Sequence, residues 1–303
     1  MKKQLVASLG ASVLALSGAA NAAFLLDDWT LDVSGQDGLS GSNTVVNGIN
    51  QMSFLAEGLS VTNDTDGNGL PTAGETFDIF ANGSITGFQD NTSTNISPTF
   101  FNNAFSGTVG GENLDGWEMS FTFEVSGAFF DVDLVNGNSS FTHLAAGLAG
   151  TSGELKFFVD NISDGTGQAS VSNGTGITDG SHIATFLIRS GDGGVFSFLT
   201  GDGADDATFD LLSASPGVFL DADGDDLTAD GVLVASSDGN FDSNPGGAGP
   251  FSLDIGAFNC GNSPTNFCFR EDGSFAIPEP GILALLGAGV LGLTLTSRRR
   301  KTS

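Results

Sequence analysis

The chain has 303 residues and a formal net charge of −27, with 36 Asp and Glu residues against nine Lys and Arg. Nucleic acids and anionic membrane surfaces are bound through clustered Lys and Arg, so this charge balance excludes nucleic acid as a partner. The 26 Phe residues, with two Trp and no Tyr, provide aromatic rings for a core without hydroxyl groups that would need hydrogen-bond partners there.

Residues 1–22 have the pattern of a cleaved signal peptide. Lys2 and Lys3 precede an apolar stretch from Leu5 to Ala19, and the small residues at 20–22 fit a cleavage site before Ala23. A retained N-terminal membrane anchor is the alternative. The pattern predicts that the chain is exported.

Residues 23–276 are expected to form one acidic ectodomain, because no linker rich in Pro and Ser divides them. They hold 35 Asp and Glu against three Lys and Arg, which gives a net charge of about −32. Two explanations of this acidity stay open. Charge repulsion keeps an exported protein dispersed, or divalent cations neutralise clusters of carboxylates, so that compactness depends on Ca²⁺.

Residues 64–75 match the calcium-loop pattern D-x-[DN]-x-[DN]-G-x₅-E in full. The predicted oxygen ligands are Asp64, Asp66, Asn68, Leu70 through its backbone carbonyl, and Glu75. The alternating oxygens converge on one ion as the loop curls, a glycine permits the sharp turn, and the last Glu binds through both oxygens. The loop resembles those of EF-hands and of thrombospondin-type and dockerin-like extracellular modules, although no amphipathic helices flank it. We predict a structural Ca²⁺ site, with a solvated polar turn as the alternative.

Alternating hydrophobic residues predict an all-β fold. Met119, Phe121, Phe123 and Val125 alternate with polar residues, and the phase changes near residues 127–128, which suggests a bulge or a turn. Further strand-like runs occupy residues 155–159, 183–188, 195–199, 209–212, 232–234 and 251–257, and Asn-Gly and Asp-Gly dipeptides such as 82–83 and 136–137 predict hairpin turns. Only residues 49–59 and 143–148 are considered as helices. The pattern favours an antiparallel β-sandwich or jelly roll.

A second acidic alternation follows at Asp221, Asp223 and Asp225. Asp226 occupies the glycine position and Val232 the position of the closing Glu, so the pattern predicts a less complete metal site. The acidic patch at residues 202–206 is interpreted as a loop.

Cys260 and Cys268 are the two cysteines of the chain. An exported protein meets an oxidising compartment, so we predict a disulfide bond between them.

The C-terminus contains three ordered parts. Pro278, Glu279 and Pro280 come first, an apolar run of 16 residues from Gly281 to Thr296 follows, and the cations Arg298, Arg299, Arg300 and Lys301 come last. As a helix, the apolar run would rise about 24 Å, which can just span a bilayer if the flanking cations snorkel. The positive-inside rule puts these cations in the cytoplasm and the ectodomain outside.

These three parts resemble the PEP-CTERM sorting signal of exopolysaccharide-producing Gram-negative bacteria. The resemblance covers residues 277–301, and residues 277–303 are accordingly assigned to the sorting segment. It implies that an exosortase recognises Pro278, Glu279 and Pro280 after transient anchoring in the inner membrane. The enzyme would then remove the helix and pass the ectodomain to the cell surface or extracellular matrix.

No catalytic motif stands out in the ectodomain. The two His residues lie outside any known motif, and no G-x-S-x-G, H-E-x-x-H or phosphate loop occurs. Among so many carboxylates the sequence cannot select a glycosidase pair. We therefore expect a non-catalytic surface or matrix protein in which Ca²⁺ bridges protein carboxylates to extracellular polysaccharide. A binding module for a glycan or small ligand, with Trp29 or Trp117 as an aromatic platform, is the alternative. For the two Trp residues themselves, ordinary core packing is the favoured interpretation.

Overall fold

The computed structural model describes residues 29–40, 44–96, 98, 101, 116–133, 135–144, 153–162, 169–189, 192–228, 234–242, 258 and 265–276. The predicted signal peptide, the strand at 251–257 and the C-terminal segment lie outside these ranges. No helix in the described part of the chain is long and apolar enough to cross a membrane.

The described residues form fourteen β-strands and contain no α-helix. The strands are β1 (Trp29–Asp32), β2 (Val45–Ile49), β3 (Gln51–Asn63), β4 (Thr76–Gln89), β5 (Asn95–Ile96), β6 (Trp117–Asp133), β7 (Asn138–His143), β8 (Glu154–Asn161), β9 (Ser181–Ile188), β10 (Gly193–Ser197), β11 (Asp202–Ala214), β12 (Phe219–Leu220), β13 (Val234–Asp242) and β14 (Asn266–Ala276). The all-β class is confirmed. Residues 49–59, considered as a helix, instead end β2 and form most of β3, because their apolar side chains alternate with period two.

The larger sheet has eleven strands in the order β10-β7-β6-β8-β9-β11-β13-β14-β3-β4-β5, with further pairings of β10 with β11 and of β6 with β4. All these pairs are antiparallel, as the sequence predicted. The pairing of β4 with β6 closes a ring of eight strands, β6-β8-β9-β11-β13-β14-β3-β4. The sequence did not predict this closure.

Strand β6 is long enough to have two successive partners on one side. Residues 117–124 pair with β8, and residues 127–133 pair with β7. The phase change predicted near residues 127–128 appears slightly later, as a register shift between Phe129 and Asp131. Phe130 lies in this bulge and is 64% exposed.

Opposite walls of the closed sheet pack through phenylalanine rings. Phe275 of β14 stacks on Phe54 of β3 with centroids 4.5 Å apart. It also meets Phe121 of β6 and Phe157 of β8 edge to face at 5.2 and 5.3 Å. Strand β14 does not pair with β6 or β8, so these contacts cross the interior. Edge-to-face geometry is the arrangement that aromatic quadrupoles favour.

Glycines opposite phenylalanines make room for these rings. Gly83 of β4 pairs with Phe121 of β6, and a Cβ atom on Gly83 would lie 2.0 Å from the Phe121 Cζ atom. The Asn-Gly dipeptide at 82–83, predicted as a turn, therefore lies inside a strand. By contrast, the predicted turn at 136–137 is confirmed, with Gly137 at φ 72°.

The smaller sheet has the order β12-β1-β2. Its buried side chains join the main core, and they include Trp29, Leu31, Val46, Ile49 and Phe219. Burial of these residues attaches the smaller sheet to the closed one.

The closed sheet has two distinct ends. Strands β3 and β14 are antiparallel, with Gln51 opposite Ala276 and Val61 opposite Asn266. We call the end with Gln51 and Ala276 proximal and the end with Asn63 and Asn266 distal. Because β3 has 13 residues, the two ends are separated by roughly 40 Å measured along this strand, at about 3.3 Å per residue.

Candidate functional site

The predicted calcium loop is the distal hairpin connection between β3 and β4. Asp64, Asp66 and Glu75 each contribute one carboxylate oxygen, and these three oxygens lie within 4.8 Å of one another. Across the described ranges, this is the group of three or more His, Cys, Asp or Glu side chains that could hold one metal ion. The fold thus brings together three of the five predicted ligand residues.

The Asp64 carboxylate stabilises the curled conformation of the loop through two hydrogen bonds. Its Oδ1 atom accepts a hydrogen bond from the Gly67 N–H at 2.8 Å, and its Oδ2 atom accepts one from the Gly69 N–H at 2.7 Å. Gly67 and Gly69 have φ values of 71° and 74°, a left-handed conformation that glycine adopts without a steric penalty. The predicted need for glycine at position 69 is therefore explained by the backbone.

Asn68 and Leu70 are arranged differently from the carboxylates. The Asn68 amide donates to Asp66 Oδ2 at 2.9 Å, while its oxygen accepts the Leu70 N–H at 2.6 Å. Asn68 would have to turn its side chain to present this oxygen to an ion shared with Asp66. The Leu70 side chain is 40% exposed, so it contributes little to the core.

Glu75 ties the end of the loop to its beginning. The residue is 3% exposed, and its carboxylate accepts backbone N–H groups from Thr65 at 2.7 Å and Thr72 at 2.9 Å, with Asp66 at 3.4 Å. Burial alone would raise the pKa of Glu75, but the hydrogen bonds from Thr72, Thr65 and Asp66 together hold this pKa below its ordinary value. Glu75 is therefore ionised at neutral pH.

Three carboxylates this close repel one another unless a cation offsets their charge. Asp64 and Asp66 are at least partly open to solvent, whereas Glu75 is buried. Hard carboxylate oxygens with a flexible, glycine-containing backbone suit Ca²⁺ better than softer metals. The residues that could hold the ion are Asp64, Asp66 and Glu75, with Asn68 after a side-chain rotation.

The second acidic group is not brought together in this way. The Asp221 carboxylate accepts backbone N–H groups from Asp223 and Asp225, each at 2.9 Å, so it caps a turn. Asp226 accepts the Gly217 N–H at 2.7 Å. Among the described residues, no metal-ligand group contains these aspartates.

Two further carboxyls lie inside the closed sheet, and sequence reasoning missed them. Asp205, interpreted as part of an acidic loop, lies on β11, and Glu271 lies on β14. Both approach the same glycine: a Cβ on Gly239 would meet Glu271 Oε1 at 2.0 Å and Asp205 Oδ1 at 2.9 Å. His143, fully buried, contacts Asp205 Oδ2 through Nε2 at 3.2 Å. The one sequence signal that could have indicated this pair is the alternation of inward-facing and outward-facing residues along β11 and β14.

The interior acid pair, Asp205 and Glu271, is held in a nearly apolar setting. Phenylalanine rings of both walls line the cavities that the two carboxyls share. Burial raises the pKa of Glu271 well above its ordinary value, and the neighbouring charges of Asp205 and Asp272 raise it further. Glu271 thus keeps its proton to higher pH than an exposed glutamate would.

The two tryptophans lie in the core, so the alternative that made them binding platforms is wrong. Trp29 and Trp117 are 0% and 1% exposed. Trp29 packs against Phe219 at 6.1 Å, and Trp117 packs against Phe101 at 5.0 Å. Their large apolar surfaces are used in the core instead.

Cys268 lies on β14, is 1% exposed and is disulfide-bonded. Cys260, its predicted partner, lies outside the described residues, as do Pro278, Glu279, Pro280 and the cations Arg298, Arg299 and Arg300. Strand β14 ends at Ala276, directly before the predicted sorting segment.

Comparison with known proteins identifies the C-terminal segment alone. Residues 276–301 match the PEP-CTERM protein-sorting motif. No curated protein and no solved structure matches the chain. The motif implies an exported protein that is anchored in the membrane and then processed by an exosortase. The chain thus carries a PEP-CTERM sorting signal behind an all-β ectodomain.

Proposed function

We propose that this protein is a non-catalytic component of the cell surface or extracellular matrix that associates with exopolysaccharide and contributes to biofilm or floc formation. The sorting motif at residues 276–301 is the observation that carries the proposal, because it implies export and processing by an exosortase. A closed sheet with a Phe-rich core would give the released domain a stable body.

Ca²⁺ would stabilise this body at its distal end. The ion would bind Asp64, Asp66 and Glu75, whose oxygens lie within 4.8 Å of one another, and so offset their mutual repulsion. This would fasten the connection between β3 and β4, two strands that pair along 13 residues. A binding site absent from the unfolded chain adds its binding energy to folding.

Divalent ions would also link the ectodomain to acidic polysaccharide. With a net charge of about −32 over residues 23–276, the ectodomain and an acidic glycan repel each other unless cations lie between them. Exposed carboxylates such as Asp66 can share a Ca²⁺ ion with a sugar carboxylate, because Ca²⁺ accepts six to eight oxygen ligands.

The test compares cells that make the protein with cells that lack its gene. We expect the deletion to reduce aggregation and matrix retention of polysaccharide, and we expect the intact protein to leave the matrix when Ca²⁺ is chelated. Restoring the gene with Glu279→Ala, which alters the sorting tripeptide, should not restore aggregation. Unchanged aggregation in the deletion strain would contradict the proposal.

A second candidate is binding of a neutral glycan at the surface, favoured by one groove. The groove has a volume of about 660 Å³ and lies over β7, β10 and β11. Phe130 is 64% exposed on its wall, and Ser140, Thr142 and Asp206 line it. An aromatic ring beside hydroxyl and carboxylate groups suits a sugar. Phe130→Ala should then weaken binding of the producer's polysaccharide in a pull-down, and equal binding would remove this candidate.

A further inference from the structure

Strand β14 is fixed in the sheet up to its last residue. Ala276 pairs with Gln51 of β3 on one side and with Ser236 of β13 on the other. Phe275, one residue earlier, is 3% exposed. Its ring stacks on Phe54 of the neighbouring strand β3 and contacts phenylalanines of β6 and β8 across the interior. The end of β14 is therefore anchored both by pairing and by a buried ring.

The sorting tripeptide begins two residues after this anchored end, at Pro278. Two extended residues span at most about 7 Å. The apolar run begins at Gly281, and the chain from Ala276 can reach it over no more than about 17 Å. An enzyme that reads Pro278, Glu279 and Pro280 at the membrane must therefore come against the folded domain.

Unpairing the end of β14 would lengthen the connection to the sorting tripeptide, but it would be energetically costly. Releasing the last three residues of the strand would break pairing with both β3 and β13. It would also pull Phe275 away from the three rings that it joins at the centre of the core, exposing apolar surface to water. The enzyme consequently meets the proximal end in its folded form.

The side chains nearest to Ala276 on β3 and β4 are two amides, Gln51 and Gln89, and one carboxylate, Asp90, directly follows them. The Gln51 side chain donates from Nε2 to Gln89 Oε1 at 2.6 Å, and both residues are half-buried. The carboxylate of the next residue, Asp90, accepts hydrogen bonds from Thr92 and Thr94. The two amides are less costly to desolvate than charged groups when another protein covers them, and they already share one hydrogen bond.

We propose that the proximal end of the closed sheet, formed by Gln51, Gln89 and the last residues of β14, is the surface on which the membrane-embedded sorting enzyme docks. The proposal rests on processing of the chain at its sorting motif and adds a recognition surface on the ectodomain. It also orients the anchored protein, because the candidate calcium loop then lies at the end of the closed sheet that faces away from the membrane.

The test uses the full chain in cells that contain the sorting enzyme, and it follows removal of the C-terminal segment by mass and gel mobility. Gln51→Arg adds a cation on the docking surface, and Asn63→Arg adds the same cation at the distal end of the same strand. We expect Gln51→Arg to slow processing at least several-fold while Asn63→Arg leaves the rate unchanged. Equal rates for both variants and the unaltered chain would overturn the proposal.

Two further measurements separate docking from other effects. A photo-crosslinking residue at position 51 should attach to the enzyme, whereas one at position 63 should not. Attachment at position 51 to lipid alone would assign this surface to the membrane and overturn the proposal. A melting temperature of Gln51→Arg close to that of the unaltered chain shows that slow processing does not come from misfolding.

The sorting reaction itself is tested by Glu279→Ala, which should block processing. If Glu279→Ala blocks it and Gln51→Arg has no effect, docking alone fails and the sorting function stands. If Glu279→Ala is processed normally, the sorting function fails as well.

Discussion

Adding Ca²⁺ to the metal-free ectodomain, residues 23–276, should raise its melting temperature. An ion that binds only the folded state at a free concentration of one hundred times Kd stabilises by about 2.7 kcal/mol. For a domain of this size, each kcal/mol shifts the melting temperature by roughly 2–4 °C, so the expected rise is about 5–10 °C. Calorimetry in a chelator and in millimolar Ca²⁺ measures it.

Replacing Glu75 by Gln should remove this rise, because it removes the charge of one of the three carboxylates that would hold the ion. Without Ca²⁺, the variant should also be less stable by about 2 kcal/mol. The NH₂ group of the new amide would face the backbone N–H groups of Thr65 and Thr72, which now donate to the carboxylate. Asp223→Asn is the matched control, because it removes one exposed acid from a turn outside the loop.

The control should keep the full Ca²⁺-dependent rise. If the unaltered ectodomain melts at the same temperature with and without millimolar Ca²⁺, the loop is a polar turn. If Glu75→Gln shows the same rise as the unaltered ectodomain, Ca²⁺ binds elsewhere. Either result would refute the assignment of Asp64, Asp66 and Glu75 as ligands.

Two other substitutions test the core. Gly83→Ala should destabilise the fold by about 1–3 kcal/mol in urea unfolding, because the added methyl group overlaps the Phe121 ring, whereas Gly87→Ala on the same strand meets no atom within 4 Å and should cost much less. The folded state holds the Glu271 proton more tightly than the unfolded chain, whose pKa lies near 4.5, so stability should fall as the pH rises from about 4.5 towards the raised pKa. Glu271→Gln should remove that fall in urea unfolding followed against pH, and an unchanged pH profile would show that Glu271 is not the group responsible.

The fold class could be predicted because strand periodicity is a local signal. Alternation at residues 119–125 identified the first half of β6, and the phase change after it corresponds to the bulge at Phe130. Closure of the sheet could not be predicted, since it depends on which distant strands pair. The same holds for Gly83, because a glycine under an aromatic ring and a glycine in a hairpin turn look alike in sequence.

The candidate calcium loop could be found because its predicted ligands lie within twelve consecutive residues. The spacing of these residues determines the conformation of the loop locally, so the fold only has to place the loop at a hairpin. Asp205 and Glu271, by contrast, are 66 positions apart and meet only through the pairing of β11, β13 and β14.

The mass of the mature protein recovered from the cell surface and culture medium tests the central claim most directly. Export and sorting predict a chain that begins at Ala23 and ends close to Pro278–Pro280, without the apolar run from Gly281 to Thr296. A full-length chain found in the cytosol, with both termini intact, would contradict the account.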